Sequence, residues 1–327
     1  MTSTLNLQSP VRVSDLESAA QLVYRYFPPT AQITWPLLST RAGCEVWVKH
    51  ENHTPVGAFK VRGGLVYCDE LRRTHPEVRG LITPTRGNHG QSIAYGAARF
   101  GLTATVVVPH GNSREKNAAM RALGAELIEV GHDFQAAAEH SRRLAQEKGL
   151  HLVPSYHPAL VRGVASYALE LFRAVNDLDT VYVPIGQGSG ICGVIAARDA
   201  LGSRTRIVGV VAEQAAAWAL SMEAGKPVAT ETAETIADGV ACRVPGDDAF
   251  SVISKGTERV VTVSEAEIRA AMRAYFTDTH NAAEGAGATP LAALLKEKGR
   301  MAGKKVGLVL TGGNVDREVY GPALMES

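Results

Sequence analysis

The stretch TVYVPIGQGSGICG, residues 180–193, changes period halfway along. Its first half is a continuous apolar, β-branched run, the pattern of a parallel strand covered on both faces. Its second half is a glycine cluster that opens a helical segment near Ile191. Glycines let successive backbone N–H groups turn toward one point, and a helix N-terminus adds partial positive charge there, so the turn can hold a phosphate. Gly186, Gln187, Gly188, Ser189 and Gly190 are the candidates, although a bare strand-to-helix turn would look the same. No Gly-Lys-Ser/Thr follows, so this is not a P-loop. Gly188, Gly190 and Gly193 also fit G-x-G-x-x-G, with Glu213 ending the next apolar run, and a dinucleotide site stays open on this segment alone.

Similar runs recur on both sides: LITPT (81–85), TATVVVP (103–109), ELIEV (126–130), HLVPS (151–155), RIVGVVAE (206–213), RVVTV (259–263) and KKVGLVLTG (304–312). Helical patterns separate them, among them DFQAAAEHSRRLAQEKG (133–149) and SEAEIRAAMRAYFTDT (264–279). The second opens with Ser264 and Glu267 at capping-box spacing. From Lys226 to Asp248 periodicity fades and a loop is expected. The alternation predicts an α/β fold of three layers with mostly parallel sheets. A chain of 327 residues is long for one core, so two lobes are expected. Ligands of such sheets bind beyond the carboxyl ends of the strands. Three polar, glycine-bearing clusters fall there: TRGNHG (85–90), GQGSG (186–190) and TGGN (311–314).

Bulk properties exclude several classes. A formal net charge of +1 offers no concentrated basic surface for nucleic acid or an anionic membrane. No stretch approaches eighteen uncharged apolar residues, and the start MTSTLNLQSPVRVSDLES lacks a basic region followed by an apolar one. Neither a membrane span nor a signal peptide is expected, and a cytoplasmic location fits. Cys44, Cys68, Cys192 and Cys242 are far apart without a C-x-x-C pair, which predicts buried free thiols in a reducing compartment.

The segment ENHTPVGAFKVRGG (51–64) places Lys60 among small and aromatic residues after a turn. Most lysines are solvated surface charges. A partly desolvated one has a lowered pKa and can form a Schiff base or act as a general base. Gly63 and Gly64 are odd in a plain amphipathic helix and suggest close approach of backbone to something.

Here a family resemblance enters. AFKVRGG resembles the S-F-K-x-R-G-A lysine motif of the fold-type II pyridoxal-phosphate enzymes, and TRGNHGQS their S-x-G-N-H-G-Q loop. GQGSGICG resembles their phosphate loop, and TGGNVD their S-G-G-N segment. The motifs stand in the family's order from about Pro36 to Asp316, and the N-H-G form resembles the threonine/serine dehydratase and serine racemase branch. The resemblance implies two α/β lobes, 57–157 and 1–56 plus 158–327, with pyridoxal 5′-phosphate in the cleft between them. It implies that Lys60 holds the cofactor covalently and takes the substrate α-proton, that Phe59 packs beside the ring, and that Asn88 bonds the ring oxygen. Gly186 to Gly190 would cradle the phosphate, and Thr311 would stand in for the usual serine at the pyridine nitrogen. Glu284 matches an acidic position near the cofactor, although a helix-start carboxylate is an equal explanation. Thr85, Arg86, Gly87, Asn88 and His89 would meet the substrate.

Three departures matter. Arg86 stands where racemases of the branch carry a serine base; arginine stays protonated, which argues against racemisation. It could instead clamp a substrate carboxylate, pair with the phosphate, or form a structural salt bridge. Glu213 is followed by the apolar AAAWAL (215–220), too few oxygens for a divalent cation, so no metal is expected. The chain ends at Ser327 soon after the last motif, leaving no room for a regulatory domain and suggesting a short, catabolic enzyme. The reaction expected is β-elimination of water from a β-hydroxy-α-amino acid (threonine or serine, with 3-hydroxyaspartate and phenylserine open), giving a 2-oxo acid and ammonia. A β-substitution enzyme of the same fold, or a non-catalytic amino-acid- or nucleotide-binding protein, are the alternatives. The family suggests a homodimer.

Overall fold

A computed structural model describes residues 11–326; the N-terminal segment 1–10, part of the stretch judged above for a signal peptide, lies outside the described residues. All eight apolar runs are strands. One sheet contains β1 (Gln32–Thr34), β2 (Glu45–His50), β7 (Thr180–Pro184), β8 (Arg206–Ala212), β9 (Arg259–Val263) and β10 (Lys305–Leu310) in the order β1-β2-β10-β7-β8-β9. A second contains β3 (Gly80–Pro84), β4 (Thr103–Val108), β5 (Glu126–Glu129) and β6 (His151–Leu152) in the order β5-β4-β3-β6. Every pairing is parallel except β1 with β2.

The helices in chain order are α1 (Val13–Tyr24), α2 (Pro36–Ala42), α3 (Lys60–Thr74), α4 (Asn88–Arg99), α5 (Arg114–Ala122), α6 (Phe134–Lys148) and α7 (Pro158–Ala174). They continue as α8 (Ser189–Ala200), α9 (Ala217–Ala224), α10 (Asp247–Gly256), α11 (Glu265–Thr279), α12 (Gly285–Lys296), α13 (Lys298–Met301) and α14 (Arg317–Met325). The capping box of α11 is complete, and α6 runs from an Asp133 cap to Gly149 in the left-handed region. Between Lys226 and Asp248 only the short turn Asp238–Val240 and the first residues of α10 are regular.

The continuous apolar runs exist because both faces of the larger sheet are covered. Tyr182, Val208 and Val210 point into one core with Met272, Tyr275 and Leu291. Their neighbours Val181, Val183, Ile207 and Val211 point into the other with Tyr167, Ile191 and Trp218. Successive strand residues face opposite ways, so both faces at these central positions call for apolar side chains. Each fully buried Val, Leu or Ile contributes about 1.5–3 kcal/mol. The smaller sheet is covered likewise, with Ile82, Val107 and Leu144 on one face and a core that includes Leu65, Val106 and Met120 on the other.

The chain passes from the larger sheet to the smaller one through α3 and returns through α7, and these two helices pack together. Gly63 and Gly64 make that possible. A side chain on Gly63 would lie 2.8 Å from the Leu160 carbonyl oxygen of α7, and one on Gly64 2.6 Å from the Ser92 carbonyl oxygen of α4. The close approach suspected at this pair is helix against helix. Beside them lies a buried ionic cluster. Arg62 donates to Glu51 at 2.7 Å and to Glu170 at 2.6 Å, and Lys49 of β2 also pairs with Glu170. The side chains of all four are largely covered, with two charges of each sign.

Candidate active site

Lys60 is the first residue of α3, and its approach is fixed by main chain. The Phe59 N–H donates to the Thr311 carbonyl at 3.0 Å, and the Gly313 N–H to the Gly57 carbonyl at 3.0 Å. Two motifs from opposite ends of the sequence are thereby stitched into one bridge, Ala58 opposite Gly312. Gly57 has φ +65° and lies so close to Asn314 that a Cβ would be 2.7 Å from Oδ1.

A narrow cavity opens here, with about 20 Å³ of enclosed free volume. Phe59, Lys60, Asn88, Gly186, Gln187, Gly188, Ser189, Gly190, Glu284 and Thr311 all line it, together with Pro184, Gly239 and Ala286. Each expected cofactor-binding residue is therefore at this one place. The turn Gly186–Gly190 leads from β7 into α8, whose first N–H groups lack intrahelical acceptors. Gly186 has no room for a side chain, which would collide with the Gly239 carbonyl oxygen. Gly188 has φ +97°, and Trp218 Nε1 holds the turn from behind by donating to the Gly186 carbonyl at 2.7 Å.

Burial lowers the pKa of Lys60 to about 8, against the pull of Glu284 and Asp238, which favour its charged form. Its Nζ stands 5.1 Å from the centroid of the Phe59 ring, and that ring meets Tyr167 edge-on at 6.1 Å. Asn88 is held from both ends: Nδ2 donates to Glu284 Oε1 at 2.6 Å, and Oδ1 accepts from Asn314 Nδ2 at 2.9 Å. Glu284 occupies the N-cap position of α12, yet its carboxylate makes no cap bond. It turns to Asn88 and to Lys116 Nζ, 3.2 Å from Oε2. Burial raises the Glu284 pKa, with Lys116 opposing.

The residues expected to meet substrate are arranged differently. None of Thr85, Arg86, Gly87 and His89 lines the cavity. Thr85 Oγ1 builds the turn by accepting from the N–H groups of Gly87 (2.9 Å) and Gly90 (3.3 Å). Arg86 is exposed and makes no ion pair among the described residues, so it is not a structural salt bridge. Gly87 lies against the stem of Lys116, and His89 is buried with its pKa depressed to about 3 by desolvation and by Lys60. The Nε2 atom of His89 has no hydrogen-bond partner.

Sequence reasoning missed Lys116, Asp238, Gly239 and Asn314. Lys116 lies in REKNAAMRA, which has the composition of a solvated helix, and only tertiary placement reveals its burial. Asp238 and Gly239 fall in the segment expected to be loop, where periodicity is silent.

The donor set fits pyridoxal phosphate: a neutralisable amine, a glycine cradle at a helix N-terminus, an aromatic wall, an amide beside the amine, and a buried hydroxyl at Thr311. The dinucleotide alternative fits less well. Gly193 is small because a Cβ would stand 2.9 Å from the Ala165 nitrogen of α7, and Glu213 pairs with Lys296 at 3.4 Å. Comparison with known proteins agrees. Residues 24–312 match the family described as pyridoxal-phosphate dependent enzyme. The chain is 33% identical over 307 residues to the L-threonine ammonia-lyase of Thermotoga maritima, covering 94% of this chain and 76% of that protein. It is 32% identical over 307 residues to the L-threo-3-hydroxyaspartate ammonia-lyase of Saccharomyces cerevisiae, covering 94% of each. The structure superposes on a T.th. threonine deaminase with a TM-score of 0.87, at 32% identity and with 93% and 99% of the two chains covered. Maize serine racemase gives 0.89 at 27% identity, with 97% of each covered. A family match over most of the chain, on a fold that gathers the four motifs around one lysine, makes this protein a member of the pyridoxal-phosphate-dependent enzymes of fold type II.

Proposed function

We propose that this enzyme is an ammonia-lyase that removes water from a β-hydroxy-α-amino acid and releases a 2-oxo acid and ammonia. The observation that carries the proposal is the position of Lys60. Its lowered pKa leaves roughly a tenth of the amine neutral at pH 7 and half at pH 8, in a cavity that also holds an anion cradle. Pyridoxal phosphate, when bound, supplies the electron sink that acidifies the α-carbon of an amino acid joined to it.

The residues then divide the work. Lys60 Nζ would hold the cofactor and, as a free neutral amine, would take the substrate α-proton. Gly186, Gln187, Gly188, Ser189 and Gly190 hold the phosphate, and Phe59 backs the ring. Asn88, aimed by Glu284 and Asn314, donates to the ring oxygen. Thr311 offers the pyridine nitrogen a hydroxyl and no fixed negative charge. That keeps the sink weak and suits prompt loss of a β-leaving group. Arg86, always protonated, cannot be a base on the opposite face, which favours elimination over racemisation.

Threonine, named for several of the ammonia-lyase relatives, is the first substrate to try, with serine beside it. An exposed, unpaired Arg86 beside Asn88 favours adding 3-hydroxyaspartate, since guanidinium binds carboxylate bidentately. We take the protein to be a cytoplasmic homodimer; sedimentation equilibrium tests the dimer. No helix among the described residues is long and apolar enough to cross a membrane. The deciding experiment measures 2-oxo acid and ammonia release from L-threonine, L-serine, threo-3-hydroxyaspartate and threo-phenylserine, for the loaded protein and for Lys60→Ala. Release from at least one, abolished in a folded Lys60→Ala, is expected. Turnover by the variant would overturn the assignment.

A further inference from the structure

Apart from the α3–α7 contact, the elements around the two sheets also meet through charge. Ser113, the N-cap of α5, donates to Asp316, and the Arg114 N–H donates to the other Asp316 oxygen at 3.0 Å. In return the Arg317 N–H, at the start of α14, donates to Glu115 at 3.1 Å. Two helix N-termini face each other across the cleft, and each has an orphan N–H satisfied by an acid from the other's first turn or cap. Deeper in, Lys116 Nζ reaches Asp238 Oδ2 at 2.6 Å and Glu284 Oε2 at 3.2 Å. It is only 5% exposed, and the Gly87 backbone rests on its stem.

The α3–α7 contact is built differently. There α3 meets α7 so closely that a side chain on Gly163 would lie 2.8 Å from the Gly63 Cα. Close-packed helices of this kind do not separate without opening a void. The capping bonds at the exposed rim exchange with water at small net cost, which leaves the buried Lys116 pair as the main tie among the charged contacts. Movement of the lobes should therefore open the charged contacts and leave α3 against α7 as the pivot. Glu284, on α12 of the larger lobe, receives both Lys116 and Asn88 from the smaller one. Separation would strip it of both donors at once.

Given that the cleft takes the cofactor and an amino acid, we propose that Lys116 is a positioning residue. Its ammonium fastens the smaller lobe to Asp238 and Glu284, and so keeps Asn88 facing Lys60 while substrate is bound. It touches no reacting atom; its effect passes through Glu284 and the loop before Asn88.

The test compares wild type, Lys116→Met, Lys116→Arg and Asp238→Asn by hydrogen-exchange mass spectrometry over segments 113–117 and 236–240, and by steady-state kinetics on the loaded proteins. Lys116→Met and Asp238→Asn should exchange at least about tenfold faster in both segments, with α3 and α7 unchanged. KM should rise about tenfold and kcat fall less, and Lys116→Arg should recover most of both. Wild-type exchange in both charge-removing variants would overturn the proposal, and so would a fall in kcat at unchanged KM. If Lys116→Met does not fold, Asp238→Asn decides alone from the other half of the pair. Should the wild type release no 2-oxo acid from any amino acid, the functional assignment fails, while the exchange comparison still decides the role of Lys116.

Discussion

Lys60 reacts as a neutral amine, so its titration should be visible before any turnover. The rate at which cofactor-free protein captures pyridoxal phosphate should rise about tenfold per pH unit below pH 8 and level off above it. Glu284 pulls the Lys60 pKa upward, so Glu284→Gln should move that inflection to lower pH. Stopped-flow absorbance measures both, and an unmoved inflection would mean that the two groups do not communicate. Lys60, Asn88 and Thr311 could be proposed from sequence because each sits in a short motif, and Glu284 because it matches an acidic position of the family; the fold brings all four to one cavity. His89 illustrates the opposite case. Its place beside Asn88 suggests contact with substrate, whereas the burial of its ring is a property of the packed fold that no local pattern encodes.

At the scale of elements, the phosphate turn should tolerate substitution unevenly. Gly186→Ala would drive a methyl into the Gly239 carbonyl, and Gly188→Ala would force a side chain into the left-handed region and to 2.8 Å from Ala249 Cβ. Strain of this kind costs of order 1–3 kcal/mol, so cofactor affinity should fall about tenfold or more in each. Gly190→Ala meets the Phe59 ring at 3.4 Å, ordinary van der Waals contact, and should lose much less. Fluorescence titration with pyridoxal phosphate would rank the three, and equal losses would refute the steric account. Strands β3 to β10 could be read from their runs because most are buried on both faces. Strand β2 could not. EVWVKH ends in Lys49 and His50, whose burial depends on Glu170 and Trp35 from elsewhere in the chain.

For the whole molecule, the buried cluster of Lys49, Glu51, Arg62 and Glu170 joins β2, α3 and α7. Arg62→Met would leave two buried carboxylates facing one lysine. Breaking a buried pair in this way costs about 3–5 kcal/mol, and the melting temperature should drop by roughly 10 °C. Calorimetry checks it, and a drop of only a degree or two would show that the cluster relaxes. Acid should weaken the fold through its buried histidines. Desolvation holds His50 to about 4 and His89 to about 3, both below the ordinary 6.5. The unfolded chain then binds more protons between those limits. Stability is complete above about pH 6.5 and declines as pH falls toward 4 and then 3. Melting curves between pH 7.5 and 5 should show the onset, and it should be shallower in His50→Gln.

Because α3 and α7 bring the chain into and out of the smaller sheet side by side, that half behaves as a cassette seated in a socket at these helices and latched at Ser113 and Lys116. The cassette carries the Arg86 loop and Lys116, whereas the phosphate turn and Thr311 stay in the chassis. Transplanting it from a relative with another side-chain preference should therefore exchange what the enzyme accepts without rebuilding where its cofactor sits.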